Sequence, residues 1–467
     1  MDHLRIVQNQ AKILPIAQTT EDADLQTIQM LVYEPLIRWD RGRMLPGLAE
    51  SWDISADGRT WHFHLREEAR FSDGSLCTVE DVMRTFELLR VSSDPFLMPG
   101  PYAPYMQSFV EHPIGKYDFN IHSIEPNGDV ADILSEVFIR KQDVRGMPTL
   151  GTGKYKIVEY ENDDFVRLAV RKDNQTSLYP QITFTKIQDS LERYEELLQG
   201  RADLAVNLEQ LEDIPLDNPF RWGRIGNTLT VPIFLNGFNA PFNQPEARLA
   251  INLAIDTRQI IRDVWHGLAI PASTVVSPYH YGYPATLQPM AYRPSQAKDL
   301  FSKVEMPSEL ILRTPLIIPD RAKQVCENIA HQLSNVGLKI KIDVVEDRTK
   351  FAREVGAQRI GHMAIFDSSP HSTYRILREK VSSRAKWMWW QGVVDEQVDT
   401  LISKAHATYQ PEERKRAYEN TLTYLNQAPV WLYLYHPISV YAYREEVTGV
   451  EMSHTGLLRI PEFEKEE

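Results

Sequence analysis

The sequence is poor in cysteine and short of positive charge. Its only cysteines are Cys77 and Cys326, far apart and at no metal-ligand spacing, which excludes a disulfide framework. Cys326 falls on the apolar face of a predicted helix and is expected to be a core thiol, with both cysteines free. Lys plus Arg number 51 against 64 Asp plus Glu, a net charge of −13. That excludes nucleic acid as the main partner, since binding phosphates needs a basic surface. It is compatible with a cationic or zwitterionic ligand, although net charge mostly reports solubility. No run approaches the roughly 20 apolar residues of a membrane-spanning helix. The opening MDHLRIVQNQAKILPIAQ has no basic segment followed by an apolar core and no lipoprotein-type cysteine, so it is not read as a signal peptide. Tandem repeats and low-complexity blocks are missing. So are the signatures of enzymes: no Gly-x-Ser-x-Gly elbow, His-Glu-x-x-His, Cys-x-x-Cys, phosphate-binding loop or dinucleotide fingerprint. The expectation is a protein without catalysis and without a cofactor.

What is present is a long chain of ordinary globular composition. Its 467 residues exceed one core and suit two or three lobes. Aromatics are generous at 10%, including nine Trp and twenty Tyr, which large cores and an aromatic-lined ligand cleft would share.

The stretch 31–90 is the most legible. Trp61, Phe63 and Leu65 alternate with His62 and His64, the period of a half-buried strand. Asp57-Gly58 and Asp73-Gly74 mark turns that tolerate positive φ. Thr78 stands at a helix N-cap with Glu80 and Asp81 in the first turn, and Val79, Val82, Met83, Phe86 and Leu89 share one helical face. Read together, Tyr33-Glu34-Pro35-Leu36, Pro46-Gly47-Leu48-Ala49-Glu50-Ser51-Trp52, Phe71-Ser72-Asp73-Gly74 and Glu80-Asp81-Val82 resemble the extracellular solute-binding proteins of ABC transporters, in the peptide- and nickel-binding family 5. Gly151-Thr152-Gly153-Lys154-Tyr155 extends the resemblance, with Lys154 where the family has Pro. So does the segment carrying Asn236, Pro241-Phe242, Arg248, Ala250 and Ala254-Ile255-Asp256.

The resemblance implies an α/β, bilobal periplasmic-binding-protein-like fold (type II, cluster C) with a small inserted α+β subdomain. The expected division is 1–31, 147–232 and 441–467 for the first large lobe, 32–146 for the insert and 233–440 for the second. It also implies two lobes that close on a ligand by a hinge, and delivery to a membrane permease. The chain is then a periplasmic monomer in mature form, with Met1 added. Members of the family carry an export signal, so an intracellular solute-sensing domain of the same fold remains an alternative, although the chain shows no helix-turn-helix. A hydrolase ranks last.

Along the rest of the chain, residues 4–19 read as a strand and a loop. Thr19–Gln29 reads as an exposed linker into a short helix ending near Tyr33. The Pro- and aromatic-rich 94–105 reads as loop, and 119–124 with 129–133 as strands joined by Asn127-Gly128. Gly151 and Gly153 are expected to serve backbone geometry rather than phosphate. Strands are expected near 154–160, 165–170, 181–187, 202–206, 338–344, 360–366 and 430–443. Helices are expected near 191–199, 247–255, 320–336, 348–355, 395–409 and 411–427. Asp256 is expected to cap a helix, and the tail 462–467 to fray.

Candidate ligand contacts cluster in 363–392. A loop at Asp367–His371 follows a strand ending at Phe366, where open α/β lobes bind ligands. In the family this loop contacts ligand, and Phe366, Asp367 and Pro370 approximate its pattern, without the usual Trp. The resemblance implies Asp367 for a peptide's ammonium group, or His371 in nickel binders. Trp387, Trp389 and Trp390, just after Arg384 and Lys386, are costly to expose. At least one of them belongs to a core, and Trp389 or Trp390 is a candidate aromatic wall. From the other lobe come Glu21, Asp24, Tyr102 and Arg140, the last near where the resemblance to nickel-binding relatives implies an arginine on a metallophore carboxylate, although a surface arginine on an edge strand is the slightly favoured reading. His62 and His64 share a strand face and suit a metal pair, but solvent-facing histidines are the commoner outcome. His436 reads as a core histidine. The ligand expected first is a short peptide or amino-acid derivative, and second a nickel–metallophore complex.

Overall fold

The computed structural model describes all residues except 41–42, 95–97, 173–177, 212–218, 318 and 461–467. Expectations for Pro95-Phe96-Leu97 and for the 462–467 tail fall outside the described residues. The chain forms two compact units, 1–225 with 439–467, and 226–438. Residues 32–146 lie wholly inside the first unit, so their treatment as a separate insert stays a proposal, as do chain crossings a few residues later than these.

The first unit has a mixed sheet. Strand His3–Gln8 pairs in parallel with Gln181–Lys186 and with Leu204–Ala205. Phe165–Val170 joins Gln181–Lys186 antiparallel, and Tyr155–Glu161 joins Phe165–Val170 antiparallel. Ala442 and Tyr443 close the other side against Ala205 and Leu204. Leu4, Ile6, Val166, Leu168, Ile182, Phe184 and Leu204 form its core. The turn between the two outer strands uses Asp163 at φ 67, a conformation that Asp tolerates better than most residues.

A four-stranded antiparallel sheet lies in the same unit, with Ala49–Ile54, Thr60–Leu65, Asp118–His122 and Val110–Pro113 in spatial order. Trp61, Phe63 and Leu65 are buried as the alternation requires, and Phe63 stacks on Phe119 with centroids 5.2 Å apart. Helix Val79–Arg90 starts in a capping box in which Thr78 and Asp81 satisfy each other's backbone N–H. The sequence expectation fails just beyond. Residues 130–136 are a helix, not a strand: Asn127 Oδ1 accepts from the Asp129 N–H, the chain turns into Val130–Glu136, and Asp118–His122 finds its second neighbour in Val110–Pro113 instead. The 94–105 loop likewise ends in a short helix, Ala103–Ser108, which Pro104 can start because it has no N–H to lose there. The reading of 19–29 as an exposed linker is corrected: its residues from Ala23 on already belong to helix Ala23–Val32, most of which is buried, because Asp22 caps the helix by accepting from the Leu25 N–H.

The second unit has its own mixed sheet. Leu310–Pro315 lies parallel to Ile340–Val345 and to Met363–Ile365. Val231–Leu235 runs antiparallel to Met363–Ile365 and to residues 431–435, and the same strand pairs Ala269–Pro271 through residues 435–437. Helix Ala322–Ser334 covers it through Val325, Cys326, Ile329 and Leu333, and Gly337 at φ 87 turns the chain into the next strand. Asp256 caps helix Thr257–Asp263 by accepting from Arg258 and Gln259 N–H. Both cysteines are free and buried.

Gly151 and Gly153 pass against the end of helix Ala23–Val32. A Cβ at Gly151 would lie 1.9 Å from the Val32 carbonyl oxygen, and one at Gly153 2.6 Å from that of Leu31. Backbone rather than a flexible side chain is in the way, so Gly151→Ala should destabilise the protein by roughly 2–4 kcal/mol. A denaturant titration would show this as a lowered midpoint, and an unchanged midpoint would refute the close approach.

Candidate functional site

In the second unit, two of the parallel strands hand over to loops at their carboxyl ends, the usual ligand edge of an α/β sheet. Ile340–Val345 leads to Asp347, which caps helix Arg348–Gly356 by accepting from Lys350 N–H. Met363–Ile365 leads to Phe366 and Asp367. The two exits meet: Arg348 Nη2 donates to Asp367 Oδ1 at 3.0 Å, and the guanidinium lies 5.1 Å from the Phe366 ring centroid. Asp367 is therefore half of an ion pair and not a lone carboxylate. The sequence reading missed Arg348.

Phe366 is buried, tilted against Phe234 and Phe351, and its centroid is 5.2 Å from that of Trp389. The tryptophans divide. Trp390 is buried edge-on to Phe238 and donates its indole N–H to the Val393 carbonyl. Trp389 is half-buried beside Phe366, and Trp387 is half-buried 5.6 Å from the Arg378 guanidinium. The helix that opens at Ser372 passes into a π-helical turn, Leu377–Val381. It encloses a buried Arg375–Glu379 pair at 2.9 Å, and Lys380 Nζ reaches the Asp367 carbonyl at 3.4 Å.

His371 is half-buried, with Nδ1 2.9 Å from the Thr228 hydroxyl. Nearby elements carry two fully enclosed imidazoles. His280 Nδ1 accepts the Ser277 N–H and its Nε2–H donates to the Pro370 carbonyl, which fixes a neutral tautomer. His436 shares Nδ1 with the Thr230 hydroxyl. Burial pushes His280 down to about 4 and His436 down to about 3.

In the first unit, Arg140 follows strand Phe138–Ile139 and its side chain is 6% exposed. Nη2 donates to Gln29 Oε1 at 3.0 Å, and the guanidinium lies 5.3 Å from the Tyr33 centroid. No carboxylate pairs with it among the described residues. Burial lowers its pKa, while Tyr33 and Tyr102 act weakly in the opposite sense. Tyr102 is buried, its hydroxyl 3.4 Å from Glu136 Oε2. Asp24 is occupied: its carboxylate accepts from Asn9 N–H, Gln10 N–H and the Asn207 amide, tying helix Ala23–Val32 to the end of strand His3–Gln8. Burial and the Asp22 carboxylate push it up to about 7. Glu21 is half-buried just before that helix. The structure thus groups Arg140 with Tyr102 in one unit, and Phe366, Asp367 and Trp389 in the other. Of the residues that flank Arg140, Gln29 carried no signal in sequence, and Tyr33 stood out only as part of the Tyr33-Glu34-Pro35-Leu36 stretch.

His62 and His64 flank Asp118, with His64 Nδ1 at 2.8 Å and His62 Nε2 at 3.6 Å from Oδ1. The sequence reading saw no such carboxylate because it comes from another strand. Among the described residues no group of three His, Cys, Asp or Glu is placed to hold a metal ion.

Residues 43–383 match the model of the bacterial extracellular solute-binding proteins, family 5 (middle). The chain belongs to that family. It is 26% identical to di/tripeptide-binding protein 1 of Pseudomonas aeruginosa over 71% of this chain and 69% of that one. It is 25% identical to the nickel-binding periplasmic protein of Escherichia coli over 86% and 83%. Its fold matches the periplasmic binding protein DppA of Helicobacter pylori, solved in complex with peptide STSA, with a TM-score of 0.78 at 20% identity over 98% of this chain and 96% of that one. The chain is accordingly the solute-capturing component of an ABC importer.

The two enclosed histidines set a pH dependence. Their folded values lie below the ordinary 6.5, so the neutral form is favoured on folding. Their contribution is whole above pH 6.5 and is lost as pH falls towards 4, because the unfolded chain takes up the protons first. The loss should be on the order of a few kcal/mol by pH 4. Melting temperature against pH for the wild type and for His280→Gln checks it: the variant should show a shallower fall between pH 6.5 and 4, and parallel curves would reject the assignment.

Proposed function

We propose that this protein captures a short peptide or amino-acid derivative in the periplasm and passes it on to its permease as a monomer, without turning it over. The observation that carries the ligand class is the Arg140 guanidinium. It is buried, and its nearest groups are an amide and aromatic rings instead of a carboxylate. An unpaired buried charge is unfavourable by several kcal/mol, and a ligand carboxylate would offset that. Gln29 and Tyr102 then orient the same group, with Glu21 close in sequence to helix Ala23–Val32 as a second contact. In the other unit we assign the apolar contact to Phe366 and Trp389, with Trp390 and Asp24 in supporting positions. Asp367, held by Arg348, and His371 are the polar contacts there. The di/tripeptide-binding relative supports a peptide, and the nickel-binding relative supports a metal chelate as the second reading.

Native mass spectrometry of the purified chain, with metal analysis of the same sample, tests the class. A retained mass of peptide size without metal supports the first reading, and stoichiometric metal supports the second. Arg140→Gln should then weaken binding of a carboxylate-bearing ligand about 30-fold or more while Arg140→Lys recovers part of it. Equal affinity of Arg140→Gln and wild type, at an unchanged melting temperature, would remove Arg140 from the site.

A further inference from the structure

The first unit carries a second cationic feature that none of these roles uses. A recess of about 230 Å³ is lined by Arg70, Lys156, Arg171 and Lys172, together with Phe71, Ser72 and Gly74. Among the described residues no acidic side chain lines it, in a chain whose net charge is −13. We infer that this recess is a binding site for a phosphate-type oxyanion, separate from the solute site.

Its walls are set before any ligand arrives. The 70–75 turn is closed by bonds from Phe71 N–H to the Ser75 carbonyl and from Gly74 N–H to the Phe71 carbonyl. Gly74 sits at φ 87, where a side chain would be strained. The Ser72 N–H is bound to the Gly151 carbonyl, which locks the turn to the Gly151–Gly153 loop. Arg171, largely buried after strand Phe165–Val170, donates Nη1 to the Arg70 carbonyl at 2.8 Å, with the Gly151 and Gly153 carbonyls at 3.3 and 3.4 Å. It is a positioning residue as well as a charge. Arg70 is exposed and donates Nη1 to the Gly74 carbonyl at 3.0 Å. Its remaining guanidinium donors, and the ammonium groups of half-buried Lys156 and exposed Lys172, have no ion-pair partner among the described residues. The carboxylate of the same turn, Asp73, is occupied by the Ser75 N–H and hydroxyl at 2.9 and 2.6 Å.

Like charges gathered without acids repel each other. Arginine matches two oxygens of a tetrahedral anion through its forked donors, while lysine adds point charge. The volume suits one phosphate group rather than an extended polyanion. The phosphate can come from a phospholipid headgroup at the membrane surface or from a free phosphate-bearing solute, and the recess reads the same chemistry in either.

Titration of the purified full-length chain with inorganic phosphate and pyrophosphate at low ionic strength, by calorimetry and ³¹P resonance, tests the site. Wild type should bind saturably and lose affinity as salt is raised. The pair Lys156→Gln/Lys172→Gln should bind about tenfold more weakly, and Arg70→Gln should weaken binding in the same direction. Lys298→Gln, on a helix of the other unit, should bind as wild type does. Absence of saturable binding by wild type, or equal binding by the double variant with an unaltered melting curve, would overturn the site. A sedimentation arm separates the sources. Retention on phosphatidylglycerol–phosphatidylcholine vesicles but not on phosphatidylcholine alone, lost in the double variant, identifies the headgroup. Phosphate binding without vesicle retention identifies the free anion.

Discussion

The strand Trp431–Arg444 is the constraint on which both units depend. Its first half supplies the antiparallel neighbour of Val231–Leu235 and Ala269–Pro271, and its last residues supply that of Leu204–Ala205. Trp431, Leu432, Leu434, Tyr435, Val440 and Ala442 are all buried. Neither sheet is therefore complete until the chain has returned near its end, and the pairing of Leu204 with Tyr443 spans a longer stretch of chain than any other strand pairing among the described residues. Such ladders gain their hydrogen bonds only after a large loop-closure cost, which slows folding without weakening the final state. His436 sits within this strand at 0% exposure. A charged imidazole there would have no compensation, so the strand is compatible with the core only while His436 stays neutral.

The same rule organises the buried polar groups elsewhere. Asp24 is satisfied by backbone and amide N–H groups, Asp203 by Arg5, Asp399 by Ser382 and Ser383, and Glu379 by Arg375. Asp24, Asp203 and Asp399 find their donors in other segments of the chain, while Glu379 finds its donor one helical turn away. Such pairs contribute less to stability than to the uniqueness of the arrangement, because mispairing leaves a charge stranded. Arg140 departs from the rule, since its partners are neutral. A guanidinium buried among neutral partners is costly, which sets it apart from the carboxylates named with it.

What could be read in the sequence follows from the range of the forces concerned. The strand around Trp61, the Thr78 cap, the Asp256 cap and the turns at Asp57-Gly58 and Asp73-Gly74 depend on neighbours a few residues away, and they stand out in the string. Residues 130–136 misled because Asn127-Gly128 looks like a hairpin turn, whereas the side chain of Asn127 starts a helix. The site was legible only as a place, the end of strand Met363–Ile365. Nothing local distinguishes Trp389 from Trp390. Phe366 and Phe238, distant in sequence, decide which ring is half-exposed and which is core. Nor does Asp367 announce Arg348, because that pairing depends on two parallel strands ending at the same edge.

The two units then differ in what they offer a ligand. In the second, the charges near the strand ends are already paired, Arg348 with Asp367 and Arg375 with Glu379, so new electrostatic attraction must compete with bonds that exist. Its free resource is the aromatic surface of Trp389 beside Phe366, which recognises shape and apolar area more than charge. In the first, the cation at Arg140 has no carboxylate partner among the described residues and lies near Tyr33 and Tyr102. A carboxylate is the group that such a cation favours, because an Arg–carboxylate pair is charge-assisted and bidentate. The two units therefore differ in kind: one presents a buried cation among neutral neighbours, the other aromatic surface beside charges that are already paired.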